Sequence, residues 1–184
     1  MRRAVFLDRD GVLNEVDLSD GAPRSPRSLT DLRITREARP AIDELRAAGF
    51  ALVVVTNQPD VARGTTPRAQ VDVVNDHLRS ELALDAVYCC VHDTADDCEC
   101  RKPRPGMLHR AALELGLDLA SSWLIGDRWV DVAAARAAGV RGLLLERPYS
   151  WESTSAGAPP ADLQPAASMP TLASCVAHIL ASSG

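Results

Sequence analysis

Two aspartates, Asp8 and Asp10, close a short apolar run in "FLDRDGVLN" (6–14), with Arg9 between them and Gly11 directly after. On an extended backbone, side chains two apart lie on the same side, so both carboxylates would crowd the end of one core strand. Like charges that close raise one another's pKa and oppose folding unless a cation joins them. Alternation aims Arg9 to the other side, which leaves a divalent cation as the expected partner. Mg2+ suits such a place, because it takes hard oxygen ligands, needs only one or two carboxylates, and keeps positions for water and a substrate phosphate. A third acid, Asp127, ends another apolar run, "SWLIGD", and can meet the first two. The cation would cancel their repulsion and screen the negative charge of a phosphate, so that an anion can attack it. Phosphoryl transfer also needs donors for the charge on the moving group; Thr56, at the end of "ALVVVTN", and a lysine are of the right type.

A second cluster lies in "YCCVHDTADDCECRKPRPGM", which holds four of the five cysteines. Cys90-x-His92 and Cys98-x-Cys100 supply three sulfurs and one imidazole, the donor set of a closed, structural Zn2+ site. Cys89 is the rival ligand, but the C-x-H and C-x-C pairs mirror each other better with Cys90. The zinc would staple a loop too polar to pack by itself.

The elements that must carry these residues alternate. Apolar runs at 4–7, 51–57, 85–89, 122–127 and 141–146 read as strands. Helical periodicity occupies the stretches between them, with Gly49 as a stop and Thr66–Pro67 as a cap and first position. Such alternation predicts an α/β fold, a three-layer Rossmann-like parallel sheet with helices on both faces, whose ligands bind beyond the carboxyl ends of the strands. Asp8 and Asp10, Thr56 and Asn57, and Asp127 all fall there. We expect a single domain over 1–184 with its core at about 3–146. A loosely ordered Pro/Ser/Ala-rich segment follows at 147–170, then a C-terminal helix at 171–181. The chain is too short for a large cap domain.

Bulk properties narrow the function. With 20 basic and 25 acidic residues the formal charge is −5, against a general nucleic-acid binder. No apolar stretch approaches the roughly 20 residues that span a bilayer, and the run after the initial "MRR" stops too early for a secretory signal. A cytoplasmic monomer is expected, with reduced thiols and therefore metal rather than disulfides at the cysteine cluster.

"DRDGVLN", "VVVTNQ", "CRKP" and "GDRWVD" resemble, in order, the four motifs of the haloacid dehalogenase (HAD) superfamily of phosphatases. The resemblance implies that Asp8 is the nucleophile, forming an aspartyl-phosphate, and Asp10 the general acid and then base. It makes Thr56 and Lys102 the phosphate binders. The Mg2+ ligands it implies are Asp8, the backbone carbonyl of Asp10, and Asp127, with Asp131 in support. The zinc loop followed by "CRKPRPGM" is similar to the D-glycero-D-manno-heptose 1,7-bisphosphate phosphatases and the related histidinol-phosphatase domain of subfamily IIIA. In that family, residues at the positions of Asn57, Gln58, Arg101 and the stretch 16–19 contact substrate, and Arg101 suits a second phosphate. Arg128, expected to be a further substrate contact, stands where those enzymes usually have lysine, and the loop after Asn14 lacks their histidine-glycine-tyrosine. The substrate implied is a small phosphorylated metabolite, a heptose or other sugar (bis)phosphate. Histidinol phosphate, a sugar phosphate of antibiotic biosynthesis, and a non-catalytic zinc-stapled binding module are the alternatives. His77, His109, Cys175 and Trp129 read as surface or packing residues, and Arg24 and Arg27 as a solvated loop.

Overall fold

The apolar run Ala4–Leu7 forms β1, and its alternate side chains enter two different cores. Val5 and Leu7 pack with Leu52 and Val54 on one face; Ala4 and Phe6 pack with Ala51, Val53 and Val55 on the other. A strand covered on both faces has no polar side to show, so these runs are continuous rather than alternating. The computed structural model describes residues 1–19 and 21–182. Asp20 and the last two residues of the expected single-domain span lie outside them.

The further elements are α1 (Ala38–Ala47), β2 (Ala51–Asn57), α2 (Arg68–Glu81), β3 (Ala86–Cys90), α3 (Gly106–Leu115), β4 (Trp123–Gly126), α4 (Trp129–Ala138), β5 (Arg141–Leu145), β6 (Ala167–Met169) and α5 (Leu172–Ala181). All strands are parallel, in the order β3-β2-β1-β4-β5-β6. Ile42 and Leu45 of α1, Val74 and Leu78 of α2, and Val176 and Ile179 of α5 cover one face. Met107, Leu108 and Ala111 of α3 with Ala134 and Ala135 of α4 cover the other. The three-layer fold read from the sequence is therefore present, and among the described residues no inserted domain covers the carboxyl edge of the sheet. Among them, too, no helix is long and apolar enough to cross a membrane.

Strand order reverses at β1, whose neighbours β2 and β4 come from the two halves of the chain. The crevice at such a switch point is where open α/β sheets bind ligands. Gly49, at φ +84°, ends α1 as expected, donating its N–H to Arg46 O while Phe50 N–H reaches back to Leu45 O. That is the left-handed stop for which glycine is favoured.

Two expectations change. Thr66 is not the cap of α2, because Pro67 holds the N-cap position and the Thr66 hydroxyl accepts no helix N–H. The segment 147–170, expected to be loosely ordered, adds β6 to the sheet edge and buries Tyr149, Ser150 and Leu163. Its few apolar residues are spread too thinly for periodicity to show, and their burial depends on the sheet already being there.

Candidate active site

Asp8 follows the last residue of β1, and its N–H is tied to Ile125 O of β4 at 2.9 Å. Its carboxylate accepts from Lys102 Nζ at 2.8 Å and from the Arg9 backbone N–H at 2.8 Å. Lys102, 3% exposed, also lies 2.6 Å from Asp131 and donates to Val55 O at 2.8 Å. Asp127, at the end of β4, completes the group: carboxylate oxygens of Asp8, Asp127 and Asp131 all lie within 4.8 Å of one another. The Lys102 ammonium thus bonds two of the three clustered acids, Asp8 and Asp131. Burial, opposed by Lys102 and aided by Asp131 and Asp10, pushes the Asp8 carboxyl up to about 7. Burial, with Asp8 and Asp131 close by, raises Asp127 well above the ordinary range. Burial alone would lower Lys102, but Asp131 and Asp8 outweigh it and hold the ammonium charged. A surplus of negative charge on hard oxygens at one point is the donor set a divalent cation such as Mg2+ fits.

Asp10 stands apart from this group, and here the sequence reading of Arg9 is corrected. Arg9 does not point away. It is 1% exposed and grips Asp10 through Nε and Nη2 at 3.1 Å, while Nη1 donates to Asn75 Oδ1 at 2.8 Å. The strand has ended at Leu7, so alternation no longer governs position 9, and the long guanidinium folds back on its neighbour. Asn14, Ser25 and Gln58 also donate to the Asp10 carboxylate, at 2.9, 2.7 and 2.6 Å. Against the cost of burial, Arg9 and then these three bonds hold the Asp10 carboxyl below its usual value.

Asp8, Asp10, Lys102, Asp127 and Asp131 floor a cavity of about 570 Å³. Of the residues read as substrate contacts, Val16, Asn57, Arg101 and Arg128 line it, joined by Arg24 and Arg27 of the first loop. Gln58 is 2% exposed and its amide is occupied by Asp10 and Thr56, so it braces the site from behind. Thr56 is likewise buried, accepting from Gln58 at 2.9 Å. Asn57 exchanges hydrogen bonds with the backbone of Lys102, both at 3.0 Å, and so locks the end of β2 to the lysine. Arg101 donates to His92 O and Ser155 Oγ, both at 3.2 Å, and leaves its buried Nε without a partner. Ser153–Ala156 form a wall that the sequence reading missed; no spacing signals it, because an exposed Ser/Thr loop looks the same wherever it lies.

The other cluster also assembles. Sγ atoms of Cys90, Cys98 and Cys100 lie 3.1, 3.4 and 3.6 Å apart, and His92 Nδ1 sits 3.3 Å from Cys100 and 3.7 Å from Cys90. A tetrahedron with Zn–S bonds of about 2.3 Å has sulfurs about 3.8 Å apart, so these four atoms fit a zinc ion after a small expansion. Cys89 points elsewhere, toward Asn75. Arg63 of the loop after β2 pins the cluster's loop through Asp93, at 2.6 and 2.9 Å.

Known proteins resemble this chain in sequence and in fold. The family pattern of haloacid dehalogenase-like hydrolases matches residues 26–139. The D-glycero-beta-D-manno-heptose-1,7-bisphosphate 7-phosphatase of Pasteurella multocida is 35% identical over 156 residues, 79% of this chain and 82% of its own. That of Escherichia coli K12 is 38% identical over 156 residues, 78% of each. A crystal structure of D,D-heptose 1.7-bisphosphate phosphatase from B. bronchiseptica, complexed with magnesium and phosphate, superposes with a TM-score of 0.79 at 29% identity, covering 98% of this chain and 99% of that one. The parallel sheet, the acids at the switch point and the extent of these matches agree: the chain belongs to the haloacid dehalogenase-like hydrolases.

Proposed function

We propose that this chain is a Mg2+-dependent phosphatase of a small sugar bisphosphate, with a heptose 1,7-bisphosphate as the first substrate to test. The observation that carries the reading is Asp8 at the switch point, its carboxylate held by Lys102 beside two further acids at the floor of an arginine-lined cavity. Asp8, Asp127 and the Asp10 backbone carbonyl would hold the cation, with Asp131 behind them. The cation would supply charge neutralisation for the transferring phosphoryl group.

A carboxylate oxygen of Asp8 attacks phosphorus, and the bond from phosphorus to the sugar oxygen breaks. Lys102, with Thr56 at the end of β2, stabilises the charge on the moving phosphoryl group. Asp10 gives a proton to the leaving oxygen, then accepts one from the water that attacks the aspartyl-phosphate and frees inorganic phosphate. As held here, Asp10 is matched to the second half; the first half requires its bonds to Arg9 to loosen so that it carries a proton. Arg101 and Arg128 lie on the cavity wall where a non-reacting phosphate would meet them. Zn2+ on Cys90, His92, Cys98 and Cys100 would be structural, fixing the backbone that leads into Arg101 and Lys102.

The test is phosphate release with Mg2+ from heptose 1,7-bisphosphate, other sugar phosphates, histidinol phosphate and nucleotides. The expected result is preference for a bisphosphate and loss of turnover by several orders of magnitude in Asp8→Asn with the fold retained. Near-normal turnover by Asp8→Asn would refute the nucleophile.

A further inference from the structure

We infer that Tyr149 is a positioning residue for this reaction: its hydroxyl holds the Asp127 carboxylate in the orientation that receives the catalytic cation, and so sets the affinity for that cation. The inference rests on the reading of Asp8 and Asp127 as cation ligands.

Tyr149 lies in the segment between β5 and β6, outside all four motifs, and is 4% exposed. A buried phenol needs an acceptor, and this one donates to Asp127 Oδ2 at 2.7 Å. The other side of that oxygen is closed by Gly11, at φ +79°: a Cβ there would stand 1.9 Å from Oδ2 and 2.9 Å from the Tyr149 hydroxyl. Oδ2 therefore sits in a slot between a glycine and a phenol, which leaves the other carboxylate oxygen for an ion.

The backbone of the same turn is held from the same segment. Ser150 Oγ donates to Asp127 O at 2.6 Å, and Ser150 O accepts from the Trp129 N–H at 2.9 Å. Trp129 Nε1 in turn donates to Glu152 O at 3.0 Å. Both the main chain and the side chain of Asp127 are thus oriented by 149–152. A carboxylate ordered in advance loses no further rotational freedom on binding, and partners of this kind commonly govern metal affinity by about 10–100-fold.

Tyr149→Phe keeps the ring and removes only the donor. Binding is read without substrate, by calorimetric titration of Mg2+ and by electron paramagnetic resonance of added Mn2+. The variant is expected to weaken binding of both ions about ten-fold or more. In phosphate release, the Mg2+ concentration for half-maximal rate should rise by a similar factor, with a smaller fall in kcat at saturating Mg2+. Equal or tighter ion binding by the variant would overturn the inference, as would parallel losses of kcat and Tm with no shift in ion affinity. Wild-type protein that bound neither ion would overturn the cation-site reading itself, and this inference with it.

Discussion

Lys102 is the cation bonded to the clustered acids, so replacing it with methionine tests the electrostatic reasoning directly. Its Nζ lies 2.8 Å from Asp8, 2.6 Å from Asp131 and 2.8 Å from Val55 O, at 3% exposure. Methionine fills much of the same volume but leaves three clustered carboxylates with no bonded counter-charge. Removing one partner of a buried ion pair costs about 3–5 kcal/mol. In a chain of this size each kcal/mol lowers Tm by about 2–4 °C, so Lys102→Met should melt roughly 6–20 °C lower at pH 8 in EDTA. Two conditions should shrink the deficit, since each removes the stranded charge by another route. Millimolar Mg2+ would neutralise the carboxylates, and pH 5 would protonate Asp8. Adding Asp131→Asn to Lys102→Met should recover part of the loss, measuring the coupling of the pair. A deficit under about 1 kcal/mol in EDTA at pH 8, or one indifferent to both Mg2+ and pH, would refute this account.

Other tests follow from the same geometry. In metal-free wild type, Asp8 titrates at about 7 against an ordinary 3.8. The folded state therefore binds the proton more tightly than the unfolded state, and stability should fall as pH rises from about 4 to 7. Saturating Mg2+ should flatten that slope in thermal melts, and a slope of opposite sign would contradict the assignment. Gly11→Ala places a methyl 1.9 Å from Asp127 Oδ2 at a positive φ, so ion binding measured by calorimetry should be lost or weakened by at least about ten-fold. Elemental analysis should find about one zinc per chain; strong chelation should lower Tm, and zinc-free protein of equal stability would dismiss the staple. Arg101→Ala should cost about 2–4 kcal/mol in kcat/KM on a bisphosphate and far less on an aryl monophosphate; equal losses would move Arg101 to the reacting phosphate.

The run "AVFLD" determined much by itself. An apolar run too short for a helix and too uninterrupted for a half-exposed strand must be covered on both faces, and the acid ending it must lie at a sheet edge. The same logic placed "VVVTN" and "WLIGD" beside it. Cysteine and histidine spacing likewise brought Cys90, His92, Cys98 and Cys100 to one point, because ligands two residues apart on short loops have few other ways to converge. Periodicity could not reach beyond the strand ends. Arg9 turned back onto Asp10 only because the strand stops at Leu7, and Lys102 found Asp8 across 94 residues of chain. Gln58 was drawn inward, off the cavity lining, by an Asp10 carboxylate that accepts from several sides. Tyr149 and Ser155 come from a stretch with no pattern, and only the packed sheet decides what they face. Local sequence sets which residues are buried and how the backbone runs. The partner of a long polar side chain is chosen by whichever unsatisfied charge the finished fold brings within reach.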